Sequence, residues 1–97
     1  MFVHAVMMRL SDEIDADFHR KVEDYVQRVR TELPYVRGYY YGPNIASRSN
    51  GLTWAVIGTF DTSADHDRYQ VSDVHQEMKG FMSPFISEIL ACDMECR

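Results

Sequence analysis

Residues 2–10, FVHAVMMRL, alternate with a period of two: Phe2, His4, Val6, Met8 and Leu10 fall on one side of an extended chain, Val3, Ala5, Met7 and Arg9 on the other. Both sides are largely apolar, so this strand has no face made for water alone. Residues 52–60, LTWAVIGTF, repeat the pattern, with Trp54, Val56, Gly58 and Phe60 set against Thr53, Ala55, Ile57 and Thr59. Two such strands predict a sheet that must be covered on both faces.

Outward from the first strand, Phe18, Val22, Tyr25, Val26, Val29 and Leu33 recur at spacings of three and four, which places them on one helical stripe. Asp15 and Asp17 near its start and Arg28 and Arg30 near its end suit the helix dipole, and Pro34 marks its end. The β-prone run from Tyr35 to about Ala46 reads as a second strand, separated from the Leu52–Phe60 strand by a polar turn over Ser47–Gly51. Asp61-Thr62-Ser63 has the composition of a helix start, leading into a short helix that contains Tyr69. Ser72 or Asp73 can cap a second helical piece, in which Val74, Met78, Phe81 and Phe85 share a face, and Ile89–Glu95 reads as a last strand.

The order is β-α-β-β-α-β, the ferredoxin-like α+β arrangement, with a four-stranded antiparallel sheet. At 97 residues the chain is one domain, residues 1–97. The helical segments can roof only one sheet face, yet Val3, Ala5, Met7, Ala55 and Ile57 make the second apolar as well. A homodimer joined through that face is the economical solution, because one self-complementary patch then buries two copies of itself.

A net charge of −5 opposes binding of nucleic acid or an anionic membrane surface, both of which need clustered Lys and Arg. No apolar run approaches the roughly 20 residues that span a bilayer, and Arg9, Asp12 and Glu13 interrupt the N-terminus too early for a secretory signal, so the expected location is cytoplasmic. Cys92 and Cys96, four residues apart on one strand, would stand roughly 13 Å apart, beyond the reach of a disulfide. They read as reduced thiols.

The residues that could carry chemistry are few. His4 lies within an apolar strand, and an imidazole there is usually a satisfied core group. Its weight as a site residue rises if Tyr69 and His75, six residues apart in the segment that crosses the same sheet face, converge on it. Two imidazoles and a phenol in an apolar cleft suit proton transfer from a weakly acidic carbon, one His taking the proton while an O–H steadies the developing oxyanion. His75 is the better base candidate, because burial keeps it neutral. His19 and His66, beside charged neighbours, read as surface residues. Tyr25, Tyr39, Tyr41, Trp54 and Phe60 could line a pocket for a small apolar or aromatic ligand, or could simply fill the core; Val6 and Met8, on the His4 side of the first strand, would be apolar walls of that pocket. No metal-ligand motif, G-x-G-x-x-G, P-loop or G-x-S-x-G is present.

In sequence the chain resembles the stress-responsive dimeric α/β-barrel (Dabb) family. The resemblance rests on VHAVMMRL at 3–10, LPYVRGYYYG at 33–42, GLTWAVIGTF at 51–60, Arg68-Tyr69 with His75 six residues beyond the tyrosine, and ACDM at 91–94. It implies a ferredoxin-like fold and a dimer joined through sheet faces. A characterised relative, olivetolic acid cyclase, is a cofactor-independent polyketide cyclase. By position the resemblance matches His75 and Tyr69 to its catalytic pair, His4 to a pocket histidine and Tyr25 to a pocket tyrosine. Two departures bear on substrate: Ser72-Asp73 stands where the family often has His-Pro, and Trp54 replaces a pocket histidine. The resemblance therefore implies a small-molecule pocket and a cofactor-independent cyclase or other proton-transfer enzyme. The alternatives are a non-catalytic stress-associated dimer and a monooxygenase-like enzyme, cofactor-independent or haem-dependent.

Overall fold

The computed structural model describes residues 1–97. In chain order the elements are β1 (Phe2–Leu10), α1 (Ala16–Glu32), β2 (Val36–Pro43), β3 (Trp54–Phe60), α2 (Ser63–Gln70), α3 (Asp73–Met82), a 3-10 turn (Ser83–Phe85) and β4 (Ile86–Glu95). The four strands form one antiparallel sheet in the order β2-β3-β1-β4. This is the ferredoxin-like layout, with the helical region between β3 and β4 divided in two.

Local chemistry explains the boundaries. Asp15 caps α1 by accepting from the Phe18 amide at 2.9 Å, and Thr62 caps α2 by accepting from the Asp65 amide at 3.2 Å. Strand β2 stops at Pro43, earlier than its β-prone composition predicts. Beyond it Asn44 ties the loop to the start of β3, its amide donating to Thr53 O at 2.7 Å and its side chain to Leu52 O at 2.8 Å. Asn50 and Gly51 turn this loop with positive φ angles of 53° and 78°, a conformation that glycine adopts freely. Strand β4 begins three residues before the expected Ile89, because Pro84 sits in the 3-10 turn and the chain pairs with Leu10 from Ile86 onward.

The period-two reading of β1 and β3 matches the burial. Phe2, His4, Met8, Leu10, Val56 and Phe60 lie on the helix-covered face with the α1 stripe of Phe18, Val22, Val26 and Val29. The opposite face carries no helix. There Ile57, Leu90 and Met94 are 37%, 56% and 50% exposed, and Tyr40, opposite Ile57 in the register, is exposed beside them. Strand β4 is an edge strand whose side chains are almost all exposed. No helix is long and apolar enough to cross a membrane.

Candidate active site

The site is built where α2 gives way to α3. The Ser72 hydroxyl donates to the Tyr69 carbonyl at 2.7 Å and accepts from the His75 amide at 3.4 Å, so one side chain closes α2 and caps α3. This double role puts Tyr69 at the end of one helix and His75 in the first turn of the next. Their rings lie 4.4 Å apart, centre to centre.

A cavity of about 440 Å³ opens beside them, lined by residues of β1, β4, α3 and the α2–α3 junction. His4, Tyr69 and His75 all contribute to its wall, as do Val6, Met8 and Tyr39. The remainder is mainly apolar, from Val56, Met78, Met82, Ile86, Ile89 and Ala91. The space lies between α3 and the inner side chains of β1 and β4.

Each polar group has a defined state. The Nδ1 of His75 lies 3.0 Å from the Gln70 carbonyl oxygen. A carbonyl only accepts, so Nδ1 carries the proton and Nε2 keeps its lone pair. Burial lowers the His75 pKa below its usual 6.5, nearby His4, Lys79 and His66 add to that, and the Gln70 bond opposes it in part. The ring is therefore neutral at physiological pH, with a free basic nitrogen. Tyr69 is almost wholly buried, and its hydroxyl lies 2.6 Å from that of Tyr39. Burial pushes the Tyr39 pKa to about 12 and that of Tyr69 higher still, so both phenols keep their protons.

His4 is buried, and its Nδ1 meets Asp93 Oδ1 at 2.5 Å, its antiparallel partner across β1 and β4. The carboxylate accepts, which fixes the Nδ1–H tautomer of His4 as well. Opposite His4 on β3 stands Gly58, where an added Cβ would come within 3.1 Å of the Phe60 ring and 3.3 Å of Tyr39. The missing side chain lets these rings close over the strand.

Four residues expected at the pocket stand elsewhere, and one of them, Phe60, is wholly buried in the core. Tyr41 and Trp54 stack on each other with ring centres 5.4 Å apart, and His19 packs on Trp54 at 4.4 Å and bonds the Tyr41 hydroxyl at 2.8 Å. Their mutual contact fills the outer end of β2 and β3 and leaves no room for a ligand between them. Tyr25 lies on the α1 flank that faces Phe81 of α3, 6.0 Å from its ring, away from the cavity. The reading of His66 as a surface residue is corrected: it is buried against Phe2, Phe60 and His4, since α2 turns that side inward. Asp93 went unnoticed in the sequence. Only the pairing of VHAV with ACDM in antiparallel register brings it to His4.

The family model for the stress responsive A/B barrel domain matches residues 2–96. The chain belongs to this family. Among solved structures it is similar to a dimeric ferredoxin-like protein of unknown function from Jannaschia sp. CCS1, at 25% identity over 98% of both chains with a TM-score of 0.85. It is also similar to a hydroxynitrile lyase from Passiflora edulis, at 17% identity over 99% of this chain and 93% of that one, TM-score 0.85. An antibiotic biosynthesis monooxygenase matches at 11% identity over 100% and 99% of the two chains, TM-score 0.80. No curated protein matches. At these identities the lyase and the monooxygenase share the fold of this Dabb-family chain, not thereby its chemistry.

Proposed function

We propose that the cavity binds a small apolar or aromatic molecule carrying an acidic carbon, such as a polyketide-like compound, and that the protein moves a proton from it without a cofactor. The observation that carries this reading is the Nδ1–H of His75 held by the Gln70 carbonyl, which leaves a neutral imidazole with its Nε2 lone pair free in a cavity wall beside a protonated tyrosine. In the proton-transfer step Nε2 takes a proton from the carbon α to a carbonyl. The C–H electron pair moves into the enolate, whose oxygen receives a hydrogen bond from the Tyr69 hydroxyl. Tyr39 then donates to Tyr69, completing the relay, and Val6, Met8 and Tyr39 hold the apolar body of the ligand. His4, bound by Asp93, sets the far wall. In a cyclase the enolate carbon would attack a second carbonyl of the same molecule, and the His75 imidazolium would return its proton to the new alkoxide.

A 1-aryl-1,3-diketone serves as the probe, its keto–enol interconversion followed by ultraviolet absorbance with the wild-type protein and with His75→Ala. The wild type should accelerate the interconversion and the folded variant should not. Equal rates for the two would remove His75 as the base.

The same reading has the chain working as a homodimer through the helix-free sheet face. The exposed Ile57, Leu90 and Met94 there, the apolar Val3, Ala5 and Met7 beside them, and the dimeric state of the Jannaschia relative support it. Ile57→Lys would bury an unpaired charge in that interface, at a cost of several kcal/mol on the order given for an uncompensated buried ion. Light scattering should then return a monomer mass for the variant and a dimer mass for the wild type.

A further inference from the structure

A second cluster lies at the His4 end of the cavity and is not used in the proton transfer proposed above. His4 of β1, His66 of α2 and Asp93 of β4 each bring a donor atom to one place, the three atoms within 4.8 Å of one another. The imidazoles lie 4.5 Å apart, centre to centre, at 42°. His4 and His66 are buried, and the Asp93 side chain is 43% exposed on the edge strand. Hydrophobic packing explains one of these imidazoles among Phe2 and Phe60. It does not explain a second beside the first with a carboxylate on the same spot.

We infer that His4, His66 and Asp93 form a binding site for a late first-row divalent cation of the zinc type. Two imidazole nitrogens and one carboxylate oxygen are the donors such ions select, whereas magnesium and calcium prefer all-oxygen sets. Bonds of about 2.0–2.2 Å in a tetrahedral site hold the donors roughly 3.3 Å apart. The present spacing is reached by movements smaller than that. Asp93, exposed and on an edge strand, has the freedom to make them. In the resting protein a proton occupies the space between His4 Nδ1 and Asp93 Oδ1. The cation takes its place at Nδ1, and the displaced proton passes to His4 Nε2, so the ring stays a neutral imidazole and charge and atoms balance. Outside the donors, the Gln70 carboxamide, 3.0 Å from His66 Nε2, orients that ring, and Phe2 and Phe60 wall the site on its inner side. Three protein ligands leave a coordination position for water or for a ligand donor atom. Because His4 also lines the cavity, occupancy should alter what the cavity takes.

The test is a titration of the chelator-treated full chain with Co²⁺ and then Zn²⁺, followed by calorimetry and by visible absorbance of the cobalt. One Co²⁺ per chain should bind with the intense d–d bands of a low-coordinate site, Zn²⁺ should displace it, and Mg²⁺ should produce no heat. Asp93→Asn, nearly isosteric and at an exposed position, and His66→Gln should each weaken binding about tenfold or more, while His19→Gln should leave it unchanged. Circular dichroism checks that each variant is folded, and if His66→Gln is not, Asp93→Asn decides. Absence of cobalt bands at millimolar ion, or unchanged affinity in Asp93→Asn, overturns the site. The titration reads binding and not turnover, so its failure leaves the assignment of His75 as the base untouched.

Discussion

The two ends of the helix-covered sheet face carry similar side chains and differ in what surrounds them. At one end His75 lies against Tyr69, with Tyr39 bonded behind it. At the other His19 lies against Trp54, with Tyr41 bonded to its Nδ1. Both have an imidazole, a tyrosine and a flat neighbour. The His19 end is closed, because α1 roofs β2 directly and the two aromatic rings stack into the gap. The His75 end stays open, with a cavity of about 440 Å³ between α3 and the inner side chains of β1 and β4. The lesson is that a reactive set of side chains becomes a site through the free volume beside it and through the bond that fixes its tautomer, not through its composition.

The sharpest test of that contrast pits the two histidines against each other. His75→Ala should lower kcat for a turned-over diketone by roughly 10²- to 10⁴-fold, the usual worth of a positioned base. His19→Ala should leave kcat unchanged. Equal losses in steady-state assays of the two folded variants would break the comparison.

A smaller effect is expected at the phenols. Tyr69→Phe removes the donor to the oxyanion and should cost about 10²-fold in kcat, with KM little changed. Tyr39→Phe keeps that donor but leaves the buried Tyr69 hydroxyl without its partner, which should lower stability by about 1–3 kcal/mol in denaturant titrations. A Tyr69→Phe enzyme with wild-type kcat would show that the hydroxyl serves packing only. At the closed end, His19→Ala should cost only about 1 kcal/mol of stability through the half-buried Tyr41 hydroxyl.

The smallest predicted effect is on pH dependence. His75 and His66 both have pKa values lowered below 6.5, chiefly by burial, so the unfolded chain binds more protons than the folded one between the folded and unfolded values. Stability should therefore be complete above about pH 6.5 and should fall as pH drops toward the folded values. Activity should fall in the same direction, since protonated His75 cannot act as a base. Thermal melts from pH 7.5 to pH 5 check the sign, and a melting temperature that rises on acidification would contradict it.

Much of this was legible beforehand. Period-two alternation in residues 2–10 and 52–60 and the 3–4 spacing from Phe18 to Leu33 are local properties, imposed by strand and helix geometry on any chain that buries one face. They were enough for the element order and for the apolar second sheet face. The candidate site was legible only in part. His4 and Tyr69 could be assigned to one sheet face from the pattern, but Trp54, Tyr41 and Tyr25 share the chemistry of pocket residues and are used as filling. No spacing rule distinguishes an aromatic ring beside empty space from one stacked on its neighbour.

The sequence alone determined the strands, the helical stripes, the acidic charge balance and the identity of the groups able to hold or move a proton. Only the tertiary structure decided which of them meet. The Asp93–His4 bond depends on antiparallel register between segments 89 residues apart, the inward turn of His66 on the roll of α2, and the free nitrogen of His75 on the Gln70 carbonyl five residues back, which also accepts from the Gln76 side chain. The reason is physical: periodicity is written into each segment, whereas free volume and partner choice arise only when separate segments pack, and no single segment carries that information.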